Sequence, residues 1–257
     1  MSEILTINNE KALNDYGLGC LKSQKHVGYK PKCDWLMKNF SNGMTIKLIH
    51  GEKKAINFIE YVPIENSWRG VNGKGFYFIH CMWVYPKTKN NKGNGSKLIQ
   101  EVIREAKQKN QKGVCVITSS GTFMVDKSIF LKNGFKIIEE NGKYSLLCYT
   151  FEDIEENELP HFTSFQKELR KYKDKGLIMF YSDQCPTYAK CVQDLSKAAD
   201  ENQIDMKIIE LKTSGQARNS VSLYGTFAVI YKGKILADHY ISKTRFLNIL
   251  KNEKLIS

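Results

Sequence analysis

The chain has 257 residues and a mass of 29.6 kDa, enough for two domains of ordinary size. Hydrophobic residues make up 42% and aromatics 11%, which supplies real cores and excludes wholesale disorder. No apolar run reaches the roughly 18 residues that a membrane-spanning helix needs. The stretch Met1–Tyr16 lacks the basic start and apolar block of a secretory signal, so a cytoplasmic location and no membrane partner are expected.

Cysteine and charge narrow the classes further. Seven cysteines (Cys20, Cys33, Cys81, Cys115, Cys148, Cys185, Cys191) without an export signal point to free thiols rather than a disulfide framework. None forms a C-x-x-C pair, and the histidines do not join them at zinc spacings, so no metal site is expected. The net charge of +12 is uneven: residues 1–150 hold 23 Lys and Arg against 12 Asp and Glu, and residues 151–257 hold 16 against 15. A positive first half favours an anionic ligand, although solvated lysine faces produce the same count. Nucleic acid is disfavoured as a partner, because no recognition motif or interleaved aromatics accompany the charge.

In chain order, Thr45–Ile49 and Ala55–Ile64 are β-rich and separated by the turn-like His50-Gly51-Glu52. Gly75–Val84 is almost continuously apolar, as a strand covered on both faces should be. Ser96–Lys109 places Leu98, Ile99, Val102, Ile103 and Ala106 on one helical face. A strand at Val114–Thr118, a helix near Asp126–Lys132 stopped by Asn133-Gly134, and a strand at Phe135–Ile138 follow. This is a mixed α/β domain over residues 1–150. The acidic block Glu152–Glu158 and Pro160 begin a linker, 151–175, with a short helix expected from about Phe162 to Tyr172. Residues 176–257 form a smaller second domain. Its expected elements are strand Leu177–Tyr181, helix Pro186–Glu201, strand Met206–Leu211, a Thr226–Tyr231/Lys234–His239 hairpin and a last helix from Lys243. That βαβ-then-ββα order is a thioredoxin-like plan.

The stretch Val84-Tyr85-Pro86-Lys87-Thr88-Lys89-Asn90-Asn91-Lys92-Gly93-Asn94-Gly95-Ser96 links a buried strand to an amphipathic helix through a basic glycine-containing loop. Glycines admit close approach of backbone N–H groups to a phosphate, and the helix start adds converging donors. With Gly113–Thr118 and Phe130-Leu131-Lys132-Asn133-Gly134-Phe135, this stretch resembles the GNAT superfamily of N-acetyltransferases over roughly residues 40–150. Gly19-Cys20-Leu21, Phe58–Pro63 with Trp68-Arg69, Ile79–Val84 and Phe180–Pro186 resemble its YoaP-like subgroup, in which a thioredoxin-like domain follows the transferase.

The resemblance implies a mostly antiparallel mixed sheet with flanking helices, followed by the smaller thioredoxin-like domain. It implies acetyl-coenzyme A as cofactor and acetyl transfer to a primary amine of a small molecule or peptide. Trp83, Val84, Lys89, Asn90, Asn91, Lys92, Gly93, Asn94, Gly95 and Ser96 would hold the coenzyme. The alternative is a non-catalytic module that binds coenzyme A or a peptide. Two departures motivate it: Asn90 stands where the family has Arg or Gln, and Phe130 where a tyrosine often protonates the leaving thiolate.

The polar residues inside the apolar strands, Glu60 and His80, are the candidate general bases. Each has a structural alternative: His80 as a core histidine, and Glu60 as the ion-pair partner of Arg69. Cys81 alternates to the face opposite His80 if the strand is regular, and reads as core packing. In the second domain Cys185-Pro186 resembles a glutaredoxin entrance whose second cysteine is replaced by Tyr188. Cys191 lies six residues on, a helical rise of roughly 9 Å and beyond disulfide reach. No proline follows Pro186 to face Cys185, so dithiol exchange is not expected.

Overall fold

The structure, a computed structural model, describes residues 3–49, 56–86, 91–121 and 124–256. The expected turn at His50–Glu52 lies outside these residues. The chain divides into two compact units that are not consecutive in sequence. One takes residues 1–24, 33–67 and 71–162; the other takes 25–32, 68–70 and 163–257. Among the described residues, no helix is long and apolar enough to cross a membrane.

The first unit is built on β1 (Ile4–Ile7), β2 (Thr45–Ile49), β3 (Ile56–Pro63), β4 (Val71–Asn72), β5 (Phe76–Tyr85), β6 (Gly113–Ser119), β7 (Lys136–Asn141), β8 (Tyr144–Thr150) and β9 (His161–Phe162). Its helices are α1 (Glu10–Tyr16), α2 (Tyr29–Phe40, which crosses the division at residue 32), α3 (Asn94–Gln108) and α4 (Lys127–Lys132). Seven strands form one sheet in the order β1-β2-β3-β5-β6-β8-β7. Every neighbouring pair is antiparallel except β5 and β6, which run parallel around the α3 crossover. The mixed, mostly antiparallel sheet expected from the sequence is therefore present. The short pair β4–β9 stands apart from it.

Helix α3 forms because its apolar residues recur at helical spacing, and it buries that face. Leu98, Ile99, Val102, Ile103 and Ala106 enter a core with Ile59, Tyr61, Ile79, Met82, Val116, Phe130 and Leu147. Burial of its four branched side chains contributes about 6–12 kcal/mol before conformational entropy is subtracted. The β5 run from Phe76 to Met82 is buried except at Cys81, which accounts for its continuous apolarity.

Two features of β5 set up the site. Register with β3 slips between Glu60 and Tyr61: Cys81 faces Glu60, Ile79 faces Tyr61, and His80 is the extra residue of a bulge. Pairing with β6 stops at the same place, after Ile79 and Val116. Beyond it β5 runs to Tyr85 held by β3, while β6 runs to Ser119 held by β8. A bulge bends its strand. The two parallel strands thus part in the middle of the sheet.

The second unit contains α5 (Gln166–Arg170), β10 (Leu177–Tyr181), α6 (Thr187–Glu201), β11 (Met206–Glu210), α7 (Ser214–Arg218), β12 (Phe227–Tyr231), β13 (Lys234–Ala237) and α8 (Lys243–Asn252). Its sheet order is β11-β10-β12-β13, with β10 and β11 parallel and the other pairs antiparallel. Lys232 and Gly233 both have positive φ, as the tight hairpin turn between β12 and β13 requires. The helix expected over Phe162–Tyr172 is shorter. Phe162 is held as a strand residue against Val71, so α5 begins only at Gln166. The sequence reading had also not marked β8 or α7 as elements.

A charged group joins β2 to α3 in the first unit. Lys47 is 4% exposed, and its ammonium lies 2.5 Å from Glu105, 3.6 Å from Glu101 and 3.0 Å from the Thr6 hydroxyl. Burial, with Glu105 beside it, holds the Tyr61 phenol far above its ordinary range. Replacing Lys47 by Met should cost about 2–3 kcal/mol in urea unfolding, below the 3–5 of a fully buried pair because both carboxylates keep some solvent. Glu101 is held below the ordinary carboxylate range, first by its hydrogen bonds from Arg104 and then by Lys47. Its ionised form is therefore favoured by folding. That stabilisation is full above the unfolded-state value near 4.3 and disappears as pH falls through the lowered folded value. Glu101→Gln should narrow the stability gap between neutral and acid pH; an unchanged acid-unfolding profile would remove this role.

Candidate active site

After β5 the described residues resume at Asn91, and Gly93 starts α3 in the left-handed conformation with φ 85°. A Cβ at Gly93 would meet nothing within 4 Å, so glycine is needed there for its backbone and the space above it is open. The first helical bond runs from Lys97 N–H to the Gly93 carbonyl, and Gly93, the N-cap, has no side chain with which to cap the helix. The N–H groups of Asn94, Gly95 and Ser96 thus have no acceptor within the helix. Converging donors with the positive end of a fifteen-residue helix behind them suit a phosphate.

Gly95 serves a different need. A Cβ there would come within 2.7 Å of the Ile129 side chain, so its small size lets α3 pack closely in the first unit. Asn133 fixes the same end of the helix: its Nδ2 donates to the Ser96 hydroxyl and to the Ile129 carbonyl. Asn91 and Asn94 are buried and joined, Asn94 Nδ2 donating to Asn91 Oδ1 at 3.3 Å. Lys92 is exposed. Lys89 and Asn90 lie outside the described residues.

The opening between β5 and β6 ends beside this turn. Along residues 80–85 every second backbone unit directs its N–H and C=O toward the open edge, since β3 takes the other. Trp83 and Val84 lie on this stretch. Val84 packs against the α3 core, whereas the Trp83 ring is 52% exposed. Across the opening, β6 ends in the buried polar pair Thr118 and Ser119, which the sequence reading did not single out. Their only signal was polarity at the end of an apolar strand.

Glu60 and His80 come together. Both are buried, and His80 Nδ1 lies 3.5 Å from Glu60 Oε1. The His80 ring also meets the Phe78 ring edge-on at 5.4 Å. Cys81 does not alternate away from His80 as a regular strand would require. The bulge places Cys81 opposite Glu60, on the same face of the sheet. A carboxylate and an imidazole at this distance can hold or relay one proton. Phe130 is fully buried and packs edge-on to Phe135, so that position supplies core volume and no proton.

In the second unit Cys185 sits just before α6, half-buried, with its sulfur 3.0 Å from the Thr187 hydroxyl. Tyr188 is fully buried, stacked on Phe227 at 5.1 Å and donating to the Tyr224 hydroxyl at 2.8 Å. Cys191 is turned into the core, where its thiol donates to the Ile241 carbonyl and burial pushes its pKa up to about 11. Arg69 donates to the Tyr224 carbonyl and the Thr226 hydroxyl, with its guanidinium 4.1 Å from the Tyr224 ring centre.

A mixed sheet opened between two parallel strands, beside an uncapped helix start, is the arrangement expected of a GNAT-type chain. Residues 205–248 match the YoaP-like family. Over 243 residues, covering 93% of this chain and 94% of the relative, the sequence is 26% identical to a Bacillus subtilis (strain 168) protein described as "Uncharacterized N-acetyltransferase YoaP". The family match and this relative bear out the resemblance to YoaP-like N-acetyltransferases. Among solved structures, the chain is similar to an aminoglycoside 6'-acetyltransferase type Ii, with 13% identity, 60% of this chain and 99% of that one covered, and a TM-score of 0.43. It is also similar to a GNAT family acetyltransferase from Brucella melitensis in complex with acetyl-CoA, with 12% identity, coverage of 64% and 98%, and a TM-score of 0.39.

Thiol reactivity should follow burial. Cys115 is fully buried with its pKa pushed well up, and burial raises Cys148 to about 12. Thiolate is the reactive form, so brief alkylation of native protein near neutral pH should leave Cys115, Cys148 and Cys191 unmodified by mass spectrometry. Modification of any of these three before unfolding would contradict the packing described.

Proposed function

We propose that the protein is an acetyl-coenzyme A-dependent N-acetyltransferase that acts on a primary amine of a small molecule or peptide. The observation that carries this reading is the opening of β5 from β6 beside the uncapped start of α3. The residues fit the coenzyme: three N–H groups that the helix itself leaves without an acceptor, open space above Gly93, and an edge of β5 that β6 does not pair. Bound there, acetyl-coenzyme A supplies an activated thioester.

The chain's own residues then have three tasks. The turn Asn91–Ser96, with Lys92 and the loop residues Lys89 and Asn90, binds and orients the phosphates. An N–H on the open edge of β5, at Trp83 or Val84, donates to the reacting carbonyl and stabilises the charge that develops on it. Glu60 or His80 takes the amine proton, directly or through water, so that the nitrogen attacks in neutral form. Phe130 offers no acid, so the thiolate must leave without help from that position. This is tolerable for a thiol whose pKa is near ~8.5. The match to residues 205–248 and the βαβ–ββα order support reading the second unit as a YoaP-like, thioredoxin-like accessory domain.

Release of free thiol from acetyl-coenzyme A, measured against a panel of amines, tests the activity. Turnover with at least one amine is expected. Calorimetric binding of coenzyme A without turnover on any amine would favour the binding-module alternative, for which Phe130 is the motive. Removing a general base should lower kcat/KM by about 10²–10⁴, whereas removing a core residue should mainly lower stability. Glu60→Gln and His80→Gln, each followed by rate against pH and by thermal unfolding, separate these outcomes. Little rate loss in both variants would exclude both residues. Cys185→Ser should leave turnover within about threefold, under one kcal/mol of barrier, and a larger loss would make the second unit part of the chemistry.

A further inference from the structure

We propose that Asn57 is a positioning residue for the phosphate-binding turn, a role that rests on the coenzyme reading above. Asn57 lies on β3 across from Val84 of β5, and it is fully buried. It shares a face of β3 with Ile59 and Tyr61, which belong to the core beneath α3. A carboxamide at the edge of that apolar core needs a reason.

The reason is a chain of three amides. Asn57 Nδ2 donates to Asn91 Oδ1 at 3.2 Å, and Asn94 Nδ2 donates to the same oxygen at 3.3 Å. Asn91 Nδ2 donates to the Pro86 carbonyl at 2.8 Å. A carbonyl can only accept, so Asn91 must turn its nitrogen to Pro86 and its oxygen to the other two. Both of those must then donate, and every amide orientation follows. One side chain, Asn91, thereby ties β3, the segment after β5 and the first residue of α3 together.

Gly93, the N-cap, has no side chain with which to hold the turn or cap the helix start. The amide chain holds the turn from beneath and leaves its upper side open. Asn57 gives up something for this. Among the described residues its Oδ1 has no hydrogen-bond partner, a loss that an apolar residue of the same size would avoid. The donor that reaches Asn91 accounts for an amide at this position.

The test is a double-mutant cycle in the full chain: wild type, Asn57→Ala, Asn91→Ala and the double variant. Coenzyme A affinity is measured by calorimetry, KM and kcat by thiol release, and Tm by thermal unfolding. Asn57→Ala should raise Kd and KM for the coenzyme about tenfold while kcat stays within about threefold, the split expected when binding alone is lost. Acting through Asn91, the two changes should not multiply, and the double variant should bind within about twofold of Asn91→Ala. A folded Asn57→Ala protein with unchanged Kd, or a double variant about tenfold weaker than Asn91→Ala, would overturn the role. If Asn57→Ala fails to fold, the equal-sized Asn57→Asp, which replaces the donor with an acceptor, must weaken binding at least about tenfold; unchanged affinity there refutes the proposal equally. If wild-type protein binds no coenzyme A, the functional reading falls and this inference with it. If wild type binds and the variants match it, the positioning role alone falls.

Discussion

A strand inside a sheet is normally paired on both edges, and unpaired backbone there must be satisfied some other way. The first unit breaks that rule at one place in the middle of its main sheet. The His80 bulge bends β5 where its pairing with β6 ends, and β3 alone carries β5 onward to Tyr85. The remaining edge is an acceptor and donor surface inside the protein rather than at its rim. The functional reading depends on that opening.

Helix α3 makes the opening usable because one sequence meets two requirements. Its apolar residues hold it on the sheet, and its first residues bring N–H groups without an acceptor in the helix to the end of the gap. Gly95 lets that end approach Ile129, while Gly93 sets the backbone direction. These are distinct demands on neighbouring glycines, and a G-x-G pattern cannot tell them apart. The Lys47 group anchors the other half of α3 to β2, so a shift of the helix along the sheet would part the buried Lys47 ammonium from its two carboxylates.

Much of this was legible in the sequence because it rests on periodicity. The α3 face, the apolar β5 run and the basic segment between them follow from residue spacing, and Glu60 and His80 stand out as polar residues inside apolar runs, although their meeting at 3.5 Å does not. What was not legible depends on register. The bulge at His80, which moves Cys81 to the Glu60 face, has no signature in a uniformly apolar run. Phe162 looked like the start of a helix because Phe165 and Leu169 repeat at helical spacing, but pairing with Val71 holds it as strand. Asn57 could not be distinguished from a solvent-facing asparagine until Asn91, thirty-four positions away, was placed beside it.

The second unit shows the same interplay between one residue and its surroundings. Tyr188 stands where a second cysteine would be needed for dithiol exchange, and it is not a simple replacement. Its ring is stacked in the core and its hydroxyl donates to Tyr224, so restoring a thiol there would leave a large void and remove that hydrogen bond. Gly225, beside Tyr224, has φ 77°, and a Cβ on it would reach 2.3 Å from the Trp68 carbonyl oxygen. A Cβ on Gly28 would come within 1.8 Å of the Pro186 carbonyl oxygen. Two outlying segments of the unit, 25–32 and 68–70, are therefore packed tightly against the residues that flank Cys185 and precede β12. Tyr188 and Arg69 both bond to Tyr224, and Gly225 beside it packs on Trp68, so a change at position 188 reaches the 68–70 segment through Tyr224.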